Sequence, residues 1–300
     1  MALCFAVSYF YITFATMKQA MIFAAGLGTR LKPITDTKPK ALVEVGGEPL
    51  LRRVISRLHD AGFTRVVVNV HHFAGQIIQY LQDNDNFGLD IRISDESQEL
   101  LDTGGGIKHA RQFFDPTVPV LIHNVDILSN VDLDRFYRLD PKMVCPDCGA
   151  PHLKAAATLL VSQRVTQRYL VFDAQMRLVG WTNIKSGEVK TPFAWVREML
   201  ESPAVRDLER QGLTALEIEH ALRSDSGRSL RLLAFSGIHC FGPELFPLME
   251  AYPDRFPIMD FYLQNCDKAF IRGYEKADLH LLDVGKLETL QEAEAFVKDM

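Results

Sequence analysis

From residue 21 to about residue 130, short apolar runs alternate with segments of helical period. MIFAA (21–25) is followed by a stretch, 49–61, whose Leu50, Leu51, Val54, Ile55, Leu58 and Ala61 fall on one helical face, with Gly62 placed to end it. RVVVNV (65–70), a helix over 74–83, DIRIS (90–94), a helix over 105–114 and PVLIHNVD (119–126) continue the alternation. Repeated strand and helix units predict an α/β, Rossmann-like fold: a mixed, mainly parallel sheet flanked by helices. Ligands on such sheets sit at the carboxyl ends of strands, so Gly26, Glu96 and Asp126, each just after a strand, are expected along one rim.

The second half is less regular. KAAATLLVS (154–162) reads as a strand, YLVFDAQMRLVGW (169–181) as a hairpin turning at 173–176, and LRLLAFSGIHCF (230–241) as a returning strand. The charged, helical region 192–223 is expected as an insertion lying over the rim. LHLLDVG (279–285) ends on an acid before a last helix over 287–298. No internal repeat or low-complexity linker divides the chain, so residues 17–300 are expected as a single domain. Its first half spans about 20–130 and its second about 154–300.

Residues 1–16 contain no charge, and lack the basic front end and small-residue cleavage site of a secretory signal. Met17 followed by Lys18 is a second plausible start. The segment is therefore expected to be a non-native or disordered extension outside the fold, with a membrane-associating extension as the alternative.

Composition narrows the partners. At 300 residues and 47% hydrophobic content the chain can bury a sizeable core, and its net charge of -5 argues against a general affinity for nucleic acid or an anionic membrane. Local cations must serve a local anion. The five cysteines, at 4, 145, 148, 240 and 266, form no even framework, so a reducing cytoplasm is expected.

The stretch AAGLGTRLKPITDTKPKAL (24–42) brings glycines and then Arg30, Lys32, Lys38 and Lys40 to the end of the first strand. Glycine lets a backbone approach a phosphate and point successive N–H groups at it. The dinucleotide fingerprint needs a glycine where Leu31 stands, and the Walker loop needs a Gly-Lys-Ser/Thr that is absent, so neither applies.

The stretch resembles the signature of the sugar-phosphate nucleotidylyltransferases, and the likeness continues through LDTGGGIKHA (101–110), NVDIL (124–128), FSGIH (235–239) and LLDVG (281–285). It covers essentially all of 20–298, and is strongest to short bacterial enzymes related to N-acetylmuramate-1-phosphate uridylyltransferase and mannose-1-phosphate guanylyltransferase. The resemblance implies a GT-A-like nucleotide-diphospho-sugar transferase fold and the reaction of a nucleoside triphosphate with a sugar 1-phosphate. Arg30 and Lys40 are then the catalytic cations. Ala24, Ala25, Gly26, Gly28, Thr29, Glu96, Thr103 and Gly104 are implied around the nucleotide, with Glu96 suited to either uracil or guanine. Asn183, Ser236, Gly237 and Asp260 are implied on the sugar side, and Asp126 and Asp283 as ligands of Mg²⁺. Leu281 stands where a tryptophan often precedes the final metal acid.

Alternatives retain the fold with other partners: phosphocholine with CTP, or a regulatory module that binds a nucleotide sugar without turnover. Cys145, Cys148 and His152 offer three of the four ligands a structural zinc needs, so a reduced loop is expected there. His71 and His72, adjacent on an extended segment, point opposite ways and stay unassigned.

Overall fold

The computed structural model describes residues 17–138, 155–212, 214–222 and 228–298. Residues 1–16 and the Cys145, Cys148, His152 loop lie outside these.

A ten-stranded mixed sheet runs through both halves of the chain. Its parallel part sets Gln19–Phe23 between Arg65–Val70 and Val120–Asn124, with Asp90–Asp95 at the outer edge. Leu230–Phe241 joins this part antiparallel to Val120–Asn124, and also pairs antiparallel with Ala157–Ser162 and Arg168–Asp173. Leu178–Asn183 and Glu188–Lys190 continue one edge, and Ile271–Glu275 runs parallel to Ala157–Ser162.

The three inner parallel strands are buried at nearly every position because helices cover both faces. On one face Ile22, Val66, Val68 and Leu121 pack with Leu51, Val54, Leu58, Ile77 and Leu81 of the first two helices, and with Ala293 of the last. The opposite face buries Met21, Val67 and Ile122 against Ile107, Phe246 and Phe261. The helix Leu50–Asp60 stops where Gly62, at φ 78°, donates its N–H to the His59 carbonyl and Phe63 donates to Leu58. Strand 65–70 and helices 74–83 and 287–298 fall where the periodicity places them.

Three expectations need correction. The helix expected over 105–114 runs Asp102–Ala110 and then tightens into a short 3-10 turn. Gly104, Gly105 and Gly106 thus lie inside it. A Cβ at Gly104 would stand 2.3 Å from Phe256, and one at Gly105 2.0 Å from the Asp254 carbonyl oxygen, so the glycines permit a close approach of the 254–256 segment. The run expected as one strand over 119–126 ends at Asn124 and resumes as Ile127–Ser129, which pairs with Leu281–Asp283.

The helical region 192–223 is broken into Ala194–Leu200, Pro203–Arg210 and Ala215–Ala221. Ser202 caps the second helix, and a Thr214–Glu217 capping box starts the third. It does not lie over the rim. Val196, Leu200, Val205, Ile218 and Leu222 bury their apolar stripe against Tyr169, Val171, Val179, Leu230 and Leu232 on the antiparallel part of the sheet.

Candidate functional site

At the carboxyl end of Gln19–Phe23 the chain turns through Ala24–Gly28. Gly28 has φ 63°, and a Cβ there would stand 2.9 Å from Thr35 Cγ2 and 3.1 Å from Lys40 Cβ. Backbone angle and space both require glycine. Leu31 N–H and the Thr35 hydroxyl each donate to the Gly28 carbonyl at 2.8 Å, fixing the turn that presents Arg30. A Cβ on Gly26 would meet nothing within 4 Å, so glycine there leaves open space. The N–H groups of Gly26, Leu27 and Gly28 meet no acceptor among the described residues.

Ala24 and Ala25 are placed differently. Both donate their N–H groups to Asn69 Oδ1, at 2.7 and 3.3 Å. Asn69 Nδ2 donates to Glu96 Oε1 at 2.8 Å, and Leu101 N–H donates to Glu96 Oε2 at 3.1 Å. Burial pushes the Glu96 carboxyl above its usual range, while the bonds from Asn69 and Leu101 oppose that shift. The buried Glu96–Asn69 pair therefore supports the loop from beneath, with both carboxylate oxygens engaged. Gly104 N–H is likewise occupied, donating to the Phe256 carbonyl at 2.8 Å, and the Thr103 hydroxyl accepts from Ile258 N–H. Ala24, Gly26, Lys40, Asn69, Thr103 and Asp126 are among the residues around a cleft of about 330 Å³ above this support.

The two aspartates meet through the short strand pair. Asp283 lies opposite Ile127, and Val284 N–H donates to the Asp126 carbonyl at 2.9 Å. Lys40 Nζ forms an ion pair with Asp126 Oδ2. Asp283 Oδ1 is buried with no hydrogen-bond partner. Burial raises the Asp283 carboxyl, the Asp126 charge raises it further, and Lys40, Arg30 and Arg164 oppose both. Gly285 sits between Asp283 and Arg30: a Cβ there would be 2.7 Å from Asp283 Oδ1 and 2.8 Å from Arg30 Nη2.

An adjacent acid pair with an orphaned buried oxygen fits a hard, oxygen-seeking cation such as Mg²⁺. Among the described residues no group of three or more His, Cys, Asp or Glu side chains is gathered as a metal cage. Two protein carboxylates with the remaining positions left to water and phosphate is the usual Mg²⁺ arrangement.

On the other flank, Gly237 at φ 74° lies where the pairing of Leu230–Phe241 with Ala157–Ser162 shifts register. A Cβ on it would press on Ile127 and Asn124, so this irregularity seats Ser236 and Gly237 against the strand that follows Asp126. Ser236 Oγ lies 3.4 Å from Ser162 Oγ. Asn183 Oδ1 accepts from Lys185 and Ser186 N–H groups and shapes a turn, while Asp260 faces Lys190 Nζ at 3.5 Å. Neither lines the cleft that holds Asp126.

Sequence reasoning missed Asn69. Its signal was a single amide at the carboxyl end of an otherwise apolar buried strand, where an unpaired polar group would be costly.

Residues 19–140 match the family model described as nucleotidyl transferase. The N-acetylmuramate alpha-1-phosphate uridylyltransferase of Caulobacter vibrioides is 47% identical over 111 residues, 36% of this chain and 46% of that protein. The protein of the same description from Neisseria meningitidis is 41% identical over 114 residues, 38% of this chain and 49% of its own length. The chain thus spans about half the length of these curated relatives. A UDP-glucose pyrophosphorylase solved with UDP-glucose superposes with a TM-score of 0.63 at 15% identity, covering 95% of this chain and all of that one, which establishes the shared fold.

Proposed function

We propose that this chain, with its nucleotidyl transferase domain at residues 19–140, transfers a nucleotidyl group from a nucleoside triphosphate to a sugar 1-phosphate. The favoured triphosphate is UTP, with GTP next. The favoured acceptors are N-acetylmuramate 1-phosphate and mannose 1-phosphate. The observation that carries this reading is the gathering of Arg30, Lys40, Asp126 and Asp283 at the carboxyl ends of the parallel strands.

In the reaction an oxygen of the acceptor phosphate attacks the α-phosphorus in line, the α–β phosphoanhydride bond breaks, and pyrophosphate leaves with that bond's electrons. Alignment and neutralisation of crowded negative charge are the main requirements. The N–H groups of Gly26, Leu27 and Gly28 offer donors to the triphosphate. Arg30 supplies a planar fork for two phosphate oxygens. Lys40, paired with Asp126 before substrate arrives, is positioned to turn toward the reacting phosphates. Asp126 and Asp283 would hold Mg²⁺, which when bound lowers the repulsion between the α-phosphate and the attacking phosphate. The buried Asn69–Glu96 pair keeps the loop in place throughout.

The test is pyrophosphate release with Mg²⁺ across four nucleoside triphosphates, crossed with N-acetylmuramate, mannose, glucose and N-acetylglucosamine 1-phosphates and with phosphocholine. Release confined to a sugar phosphate pair supports the proposal and names its substrates. Release only with CTP and phosphocholine would replace the acceptor class, and binding of triphosphate without any release would contradict transfer.

A further inference from the structure

A second cleft, of about 620 Å³, opens beside the acid pair. Ser162, Gln163 and Arg164 form one wall, while Lys276, Leu279 and Leu281 contribute to the other. Ala157–Ser162 reaches it still paired, with Ser162 opposite Ala234 and Val161 between Phe235 and Glu275, so the cleft opens where that strand ends. Its lining residues neighbour the reacting groups. Leu281 begins the short strand that ends on Asp283, Ser162 reaches Ser236, and the Arg164 charge is felt at the Asp283 carboxyl.

The charges around this cleft are unevenly satisfied. Glu275 is held by Arg231 at 2.7 Å, and Lys276 is paired with Asp278. Arg164 has only a long contact, 3.4 Å, from its guanidinium to the Phe235 carbonyl, and no ion pair among the described residues. In the proposed reaction the phosphates would be balanced by Arg30, Lys40 and the cation that Asp126 and Asp283 would hold. An additional unpaired guanidinium, next to the apolar walls of Leu279 and Leu281, is chemistry for an anionic group elsewhere on the acceptor.

We propose that Arg164 is a specificity-determining residue that binds a carboxylate carried by the acceptor sugar in addition to its reacting phosphate. The enzyme then selects acidic sugar 1-phosphates over neutral ones. This rests on the transferase reading for the identity of the acceptor, but its recognition step requires no turnover.

The experiment is calorimetric binding of N-acetylmuramate 1-phosphate and N-acetylglucosamine 1-phosphate, which differ by a lactyl ether carrying the carboxylate. Wild type and Arg164→Gln are compared in the presence of Mg²⁺ and a non-hydrolysable UTP analogue. Wild type is expected to favour the acidic sugar by about 10- to 100-fold, the usual worth of a charge-assisted pair, and Arg164→Gln to erase that preference while binding the neutral sugar unchanged. Equal binding of the two sugars by wild type, or a preference that survives in Arg164→Gln, overturns the proposal. An equal loss for both sugars in Arg164→Gln also overturns it, since the guanidinium would then be holding the shared 1-phosphate. Arg164-dependent selection without pyrophosphate release from any pair would overturn the transferase reading and leave this one standing.

Discussion

Replacing Asn69 with alanine removes the support under the glycine loop, and its cost can be worked bond by bond. The Ala24 N–H loses an acceptor at 2.7 Å, the Ala25 N–H loses a longer one at 3.3 Å, and Glu96 Oε1 loses a donor at 2.8 Å. Asn69 is 1% exposed and Glu96 2%, so water cannot readily replace the amide. An orphaned buried donor costs about 1–3 kcal/mol, and the bond to a carboxylate stands at the upper end of that range. The 3.3 Å bond counts for little. The expected loss is therefore about 3–5 kcal/mol of unfolding free energy. Equilibrium urea denaturation followed by circular dichroism measures it, and the shift should appear in the midpoint with the slope unchanged.

Asn69→Asp sharpens the reasoning, because it keeps an acceptor for the two amides while setting a second carboxyl against Glu96. The Glu96 carboxyl, already raised by burial, is then raised further. Its protonated form favours folding, so stability is present below the unfolded carboxyl range and is lost as pH rises through the folded one. Asn69→Asp should thus approach wild type in acid and weaken toward neutral pH. A loss below about 1 kcal/mol in Asn69→Ala, the scale of an ordinary exposed hydrogen bond, would refute the idea that this amide holds the loop.

Other perturbations separate folding from chemistry. Gly28→Ala should lower the melting temperature, since its φ of 63° and the 2.9 Å approach of Thr35 both oppose a side chain. Gly26→Ala should leave the melting temperature within a degree or so (about 0.5 kcal/mol at most) while weakening triphosphate binding. Lys40→Met is expected to reduce kcat/KM by about 100- to 1000-fold with little change in far-ultraviolet circular dichroism, the magnitude of losing one preorganised charge contact. His123 and His239 are buried and neutral, each pushed down to about 3 chiefly by burial. The unfolded chain binds their protons first, so stability should fall as pH drops from about 6.5 toward 3, at up to about 1.4 kcal/mol per pH unit for each. His239→Gln should make that slope shallower in urea titrations at successive pH values.

The parallel half was legible because buried strands and amphipathic helices have distinct periods. RVVVNV reads as a near-continuous buried run, and the 74–83 helix carries the helical period. Asp126 and Asp283 could be paired only by resemblance, since the contact depends on Ile127–Ser129 meeting Leu281–Asp283, two segments too short to show alternation. The use of the glycines at 104–106 was hidden because it lies in tertiary packing against 254–256, which local sequence does not record. The placement of the 192–223 helices was also hidden. Their apolar stripe shows that they must be covered, but not which sheet face covers them. Arg164 gave no local sign at all, since its interest lies in the partners it lacks.

The central claim is that Asp126 and Asp283 act together at a phosphate-transfer centre. Its most direct test is Mg²⁺-dependent pyrophosphate release by wild type, Asp126→Asn and Asp283→Asn, with the triphosphate and acceptor that wild type uses best. The account predicts that release requires Mg²⁺ and falls at least about 100-fold in each variant while both remain folded. Release that persists in either folded variant, or that is indifferent to Mg²⁺, would contradict it.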